Sequence, residues 1–269
     1  MTNQKSSRLV QQQIYRNGIF LSSDRLVPEE VAIAVSFGGT THAVMMATPD
    51  DLEDFAIGFA LTEGIIQTIS DIETINIVAV DGGFDAQVTL KEQSRAQFHA
   101  RRRHMMGPVG CGLCGIESIE QALRPVPQLQ DANAQFMPKD IIDAMALLAR
   151  QQKLNDATRA VHGAGFYLPE QGVVCVREDV GRHNALDKLA GALLRCSYGA
   201  GQGIVAVTSR LSVEMVQKAA IIGVPLLAAI SAPTQLAIET ADKAGLTLVA
   251  LVRGQEFDIY THAERVLHL

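Results

Sequence analysis

The chain has 269 residues, 48% of them hydrophobic and 19% charged, which excludes a disordered polypeptide and leaves one large domain or two modest ones. A net charge of -6 gives no global basic footprint for wrapping nucleic acid. Four cysteines are too few for a disulfide scaffold, and they are unevenly placed: Cys111 and Cys114 form a pair, whereas Cys175 and Cys196 stand alone.

The polar N-terminus, MTNQKSSRLVQQQIYRNG, lacks the apolar run of a signal peptide, and residues 1–29 read as a loose tail. From Glu30, EVAIAVSFGGTTHAVMMAT gives two short strands about the Gly38-Gly39 turn. Thr48 to Ile66 reads as a helix with Thr48 as N-cap and Pro49 at the first helical position. Asp50, Asp51, Glu53 and Asp54 fill its opening turns, where acids complement the dipole. Ile75 to Val80 and Ala86 to Leu90 read as further strands, so residues 30–136 are expected to form a small α+β domain. Within it, Gln93 to Gly115 breaks the pattern with four arginines, two histidines, five glycines or prolines and the paired cysteines. Without apolar periodicity it reads as a mobile loop, and Leu123 to Phe136 as a linker.

Residues 137–269 have a different rhythm. A helix begins at Pro138, and strands are expected at Gly172 to Arg177, Gly203 to Thr208, Pro225 to Ile230 and Leu246 to Val252. Helices are expected between them at Asn184 to Arg195, Ser212 to Ile222 and Thr234 to Lys243. Short loops and almost wholly apolar strands predict an α/β domain with a mostly parallel sheet covered by helices on both faces. Ala219 to Ile238 runs twenty residues without a charge, but Gly223, Pro225, Ser231 and Pro233 interrupt it. It therefore reads as a buried helix end, a turn and a strand rather than a membrane span. The expected location is the cytoplasm, where thiols stay reduced.

In open parallel sheets, ligands bind beyond the carboxyl ends of the strands. There the sequence places Glu178-Asp179 with Gly181-Arg182-His183, then Ser209-Arg210, Ser231 and Arg253-Gly254. Arg182, Arg210 and Arg253 suit phosphate oxygens, and Ser209 with the helix start at Ser212 adds donors, so a small phosphorylated ligand such as a nucleotide is expected. The chain has no GxxxxGK[ST] and no dinucleotide-type glycine turn, which argues against a kinase, a GTPase or a Rossmann dehydrogenase.

GCGLCG around Cys111 and Cys114 is the sharpest motif. Arg101, Arg102, Arg103 and His104 favour thiolate over thiol there. Structural zinc needs further ligands, which another chain would have to supply. A thioredoxin-type dithiol expects a strand-to-helix context that the Arg-rich loop lacks. Zinc deaminases place H-x-E before P-C-x-x-C, whereas the H-x-E here, His262-Ala263-Glu264, follows the cysteines. A sulfur-transfer dithiol remains. Cys175 and Cys196 read as inert packing residues; among the histidines, His162 and His183 are the candidates because glycines lie beside them.

The sequence resembles the FdhD family of formate dehydrogenase accessory sulfurtransferases. The resemblance is carried by MATPDDLEDFAIGFALTEGII at 46–66, CGLCG at 111–115, EDVGRHNALDKLAG at 178–191, TSRLSVEMVQKAA at 208–220, SAPT at 231–234 and LTLVALVRG with the later Tyr260. It implies a homodimer with a cytidine-deaminase-like fold. Such a protein takes sulfur from a cysteine desulfurase as a persulfide and delivers it to the bis-molybdopterin guanine dinucleotide cofactor of formate dehydrogenase. Cys111 would bear the persulfide and Cys114 assist. The guanine end, for which a guanine nucleotide is a mimic, would lie against Leu251, Val252, Arg253, Gly254, Gln255 and Glu256, with Ser209, Arg210 and His162 nearby. The chain departs from the family pattern at Arg159, where a glycine is usual, at Val161, and at Leu251, where a phenylalanine is common. A second reading, from a different class, is a non-catalytic molybdenum-cofactor carrier.

Overall fold

A computed structural model describes residues 6–96, 98, 125–129, 134–196 and 198–267. Its first elements correct the expectation of a loose tail: β1 (Ser7–Arg16) and β2 (Ile19–Pro28) pair antiparallel along their whole length. Between them Asn17 and Gly18 adopt φ of 50° and 85°, as a two-residue hairpin turn requires. The Asn-Gly dipeptide was the available signal.

A four-stranded sheet follows, ordered β4-β3-β6-β5, from β3 (Val31–Phe37), β4 (Thr40–Ala47), β5 (Ile72–Val80) and β6 (Gly83–Leu90). Alternate residues of its inner face, Val35, Phe37, Ala86 and Val88, pack with Ala56, Phe59 and Ala60 of helix α1 (Leu52–Thr62). The helix starts later than its acidic signature suggests, with Asp51 at φ 54° as its flanking residue. Thr48 does not cap it. Its backbone N–H and hydroxyl instead donate to Asp179, 131 residues away, at 3.0 and 2.9 Å.

The second sheet has six strands in the order β12-β11-β10-β9-β7-β8. These are β7 (His162–Leu168), β8 (Gly172–Asp179), β9 (Ile204–Val207), β10 (Leu226–Ala229), β11 (Thr247–Arg253) and β12 (Glu256–Ile259). Only β9 with β10 and β10 with β11 are parallel; β12, β7 and β8 are joined antiparallel. The sheet is mixed, not mostly parallel. The sequence reading overlooked β7 and β12, because HGAGFYL interleaves glycines and EFDI is short and polar, and those strands bring the antiparallel pairings.

Helices cover both faces, unequally. Val205, Val207, Leu227 and Ala229 face α4 (Arg182–Cys196), α5 (Val213–Ile222) and α6 (Gln235–Ala244) through Leu186, Leu189, Met215, Ala219 and Ala241. The alternate residues Ile204, Ala206, Leu226 and Ala228 face α2 (Pro138–Gln151) through Ile141, Ala144 and Leu148. A short α3 (Lys153–Thr158) leads into β7. The uncharged run at 219–238 resolves into the end of α5, β10 and the start of α6. Among the described residues no helix is long and apolar enough to cross a membrane.

The two sheets are joined where α1 lies against α4. A Cβ added to Gly58 would stand 1.7 Å from the Asp187 carbonyl oxygen, and one on Gly191 would stand 1.9 Å from that of Asp54. Both positions demand glycine because backbone meets backbone. Three carboxylates are buried around this crossing. Asp179, fully buried, accepts from Lys188 Nζ at 2.7 Å and from Thr48, Gly181 and Asn184. Asp187 accepts from Lys218 at 2.7 and 2.9 Å and from Thr62 at 2.7 Å. Asp54 accepts from Arg177 at 2.6 Å and Arg195 at 2.7 Å. The contacts with Thr48, Thr62, Lys218, Arg177 and Arg195 bridge distant parts of the chain. Burying such charges costs several kcal/mol each unless they are paired and hydrogen-bonded, and here they are.

Candidate functional site

The carboxyl ends of β8, β9, β10 and β11 lie on one edge of the six-stranded sheet, and antiparallel β7 begins there, with His162 opposite Asp179. Thr208 N–H donates to the Gly163 carbonyl at 3.0 Å and its hydroxyl accepts from Gly163 N–H at 2.9 Å, fixing the end of β9 to the start of β7. The loops after β9 and β10 are tied together: Leu211 N–H donates to the Ala232 carbonyl, and Thr234 N–H to that of Leu211. Thr234 then caps α6 by accepting from Ala237 N–H at 3.2 Å. Ser209-Arg210 is thereby held beside Ser231, whose carbonyl in turn accepts from Leu251 N–H.

This edge gathers His162, Ser209, Arg210, Leu251, Val252 and Arg253, with Gly254 and Gln255 in the turn to β12 and Glu256 opposite Arg253. Not all of them present a side chain outward. Val252 is 2% exposed and belongs to the core beneath α2, and Ser209 is 4% exposed with its hydroxyl donating to the Arg210 carbonyl. Arg210, Arg253, Gly254, Gln255 and Glu256 are exposed. One strand separates β9 from β11, so the ends of these two strands, which Arg210 follows and Arg253 closes, stand about 10 Å apart.

The β11 end is strained. Leu251 has φ 56°, and the register slips between Ala250 and Arg253. A left-handed non-glycine residue costs roughly 1–2 kcal/mol, and such bulges re-aim the side chains beside them. Arg159 is also left-handed, at φ 55°, where its N–H closes α3 on the Asn155 carbonyl at 2.7 Å. That backbone explains why glycine suits the position.

Two acids expected in the crevice do other work. Glu178 accepts from Leu154 and Asn155 N–H at 2.8 Å each, capping α3, and Asp179 lies in the buried pairs described above. His183 and its neighbour Arg182 do reach the edge. Burial, Arg182 and Lys218 push the His183 imidazole down to about 4, and burial with Arg182 lowers His162. His183 Nε2 is 2.8 Å from Glu214 Oε2 at the start of α5, but the direction is too poor for a hydrogen bond. Glu214 was not singled out from sequence, since an acid in a helix's first turn has an ordinary dipole explanation.

The FdhD/NarQ family model matches residues 28–267. The chain belongs to that family. Among similar proteins, the sulfur carrier protein FdhD of Agrobacterium fabrum is 60% identical over 262 residues, covering 97% of each chain. That of Brucella abortus is 60% identical over 267 residues and 99% of each, and that of Bordetella petrii 45% identical over 93% and 89%. A crystal structure described as a formate dehydrogenase accessory protein from Desulfotalea psychrophila superposes with a TM-score of 0.79 at 25% identity, covering 98% of this chain and all of that one.

For this FdhD-family chain, Cys111 and Cys114, with Arg101 to His104, lie outside the described residues. Cys175 is half-buried on β8, where burial pushes its thiol up to about 11 and Arg177 donates to its sulfur at 3.5 Å, consistent with inert packing. Cys196, expected to be buried, is exposed at the end of α4. Among the described residues no group of three histidines, cysteines or acids is placed to hold a metal ion.

Proposed function

We propose that this protein is a sulfurtransferase acting in the cytoplasm on the cofactor of formate dehydrogenase. The observation that carries the reading is 60% identity, over nearly the whole of both chains, to relatives named sulfur carrier proteins. A Cys111 thiolate attacks the outer sulfur of a cysteine desulfurase persulfide. The S–S bond of the donor breaks, a new one forms on Cys111, and the desulfurase cysteine leaves as thiolate, so no external oxidant is needed. Cys114, three residues away and followed by Gly115, assists release of the cargo.

The receiving substrate is the bis-molybdopterin guanine dinucleotide cofactor. Its guanine end is assigned to the edge formed by residues 251–256 with Arg210 and His162. Exposed Arg210 and Arg253, which follow strands whose ends stand about 10 Å apart, and the register shift at Leu251 support this. Two copies of the chain act as a homodimer on a cytidine-deaminase-like domain. The test is mass spectrometry after incubation with a cysteine desulfurase and cysteine. Gain of one sulfur on Cys111, lost in Cys111→Ala together with formate dehydrogenase activation, is expected. A chain that binds the cofactor but gains no sulfur is a carrier instead.

A further inference from the structure

The starts of α4 and α5 meet at the sheet edge, beyond the residues assigned to the guanine end. Three polar atoms there are shut from solvent and have no hydrogen-bond partner among the described residues: Arg182 Nε, His183 Nε2 and Ser212 Oγ. Glu214 lies among them, its Oε2 2.8 Å from His183 Nε2, with the two side chains 36% and 31% exposed, so a ligand reaches them. Ser212 precedes α5, but its hydroxyl accepts nothing from the helix, unlike Thr234 at α6. Buried polar atoms are almost always satisfied, and unsatisfied ones on two helix starts joined by the His183–Glu214 contact mark a place built for a partner that supplies the missing bonds.

The donor set selects the partner. A phosphate fits poorly, because the Glu214 carboxylate repels it and His183, kept neutral, adds no positive charge. A carboxylate acceptor beside an arginine and a hydroxyl instead complements a neutral ring edge that offers two N–H donors next to a carbonyl. We propose that Glu214, Arg182, His183 and Ser212 recognise the 2-amino-4-oxopyrimidine edge shared by pterin and guanine. Glu214 accepts the ring N–H and the amino group, while Arg182 and Ser212 donate to the oxo group. His183 Nε2, 2.8 Å from the same carboxylate, flanks that contact.

The proposal rests on the reading of a pterin-guanine substrate and names the group that grips its ring. Its test is calorimetric titration of the full-length protein with 6-hydroxymethylpterin against the 2,4-dioxo analogue lumazine, and with GDP against inosine diphosphate, which lacks the amino group. The wild-type protein is expected to prefer the amino-bearing member of one pair roughly tenfold or more, and Glu214→Gln to lose that preference while the other pair is unchanged. Loss in the pterin pair assigns the edge to pterin, and loss in the guanine pair to guanine. No preference in the wild-type protein, or a preference that survives in folded Glu214→Gln, overturns the proposal. The wild-type comparison stands even if the variant does not fold. Sulfur gain on Cys111 does not depend on Glu214, so a failed labelling experiment counts against the sulfurtransferase and not against this site.

Discussion

The segment EDVGRHNALDK serves two regions of the molecule in opposite ways. At the crossing of α1 and α4, Asp179, Asp187 and Lys188 are buried, and each finds its partners. At the sheet edge, a few residues away, Arg182 and His183 are partly exposed and keep polar atoms without hydrogen-bond partners among the described residues. The difference separates framework from site: a satisfied polar group holds the chain, and an unsatisfied one waits for something else. Charge and sequence proximity alone do not distinguish them.

The largest effect is expected where backbone meets backbone. Gly58→Val drives a side chain into the Asp187 carbonyl and should cost more than about 3 kcal/mol, or abolish folding, in urea unfolding. Normal stability would show that the crossing is not a close contact. Lys188→Met leaves Asp179 buried without its cation and should cost about 3–5 kcal/mol in the same measurement. A loss below about 1 kcal/mol would move that pair out of the framework.

At the edge, His183 sharpens the comparison through pH. Its folded value is depressed to about 4 from 6.5, so its contribution is fully present above about pH 6.5 and is lost as pH falls toward 4, where only the unfolded chain takes the proton. His183→Gln should flatten the urea midpoint against pH across that window. An unchanged slope would show that His183 is not held neutral. The smallest effect belongs to Arg159→Gly, which relieves a left-handed residue and gives up only an exposed contact with Asp156. A gain in stability of about 0.5 kcal/mol, read as a small rise of the thermal midpoint, is expected without change in ligand binding.

Much of the six-stranded sheet was legible because apolar strands and helices alternate in the sequence, and its carboxyl edge followed from that alternation. What hid were β7 and β12, too glycine-rich or too short to show a period, and with them the mixed pairing. The hairpin of β1 and β2 hid behind its polar residues although Asn17-Gly18 announced it. Arg210 and Arg253 were readable as site residues because they follow apolar strands. The separate fates of Asp179 and His183, four residues apart, were not, since only the packing of α1 on α4 decides which one is enclosed. The Glu214 contact was equally hidden, joining helices that are distant in sequence.

The contrast between a satisfied seam and an edge awaiting a ligand is tested most directly by titrating GDP into Arg253→Ala with calorimetry. Arg253 is exposed and pairs with no carboxylate among the described residues, so the variant should fold with an unchanged midpoint and bind GDP roughly tenfold more weakly. Unchanged affinity, with the midpoint also unchanged, would contradict the placement of the site at this edge.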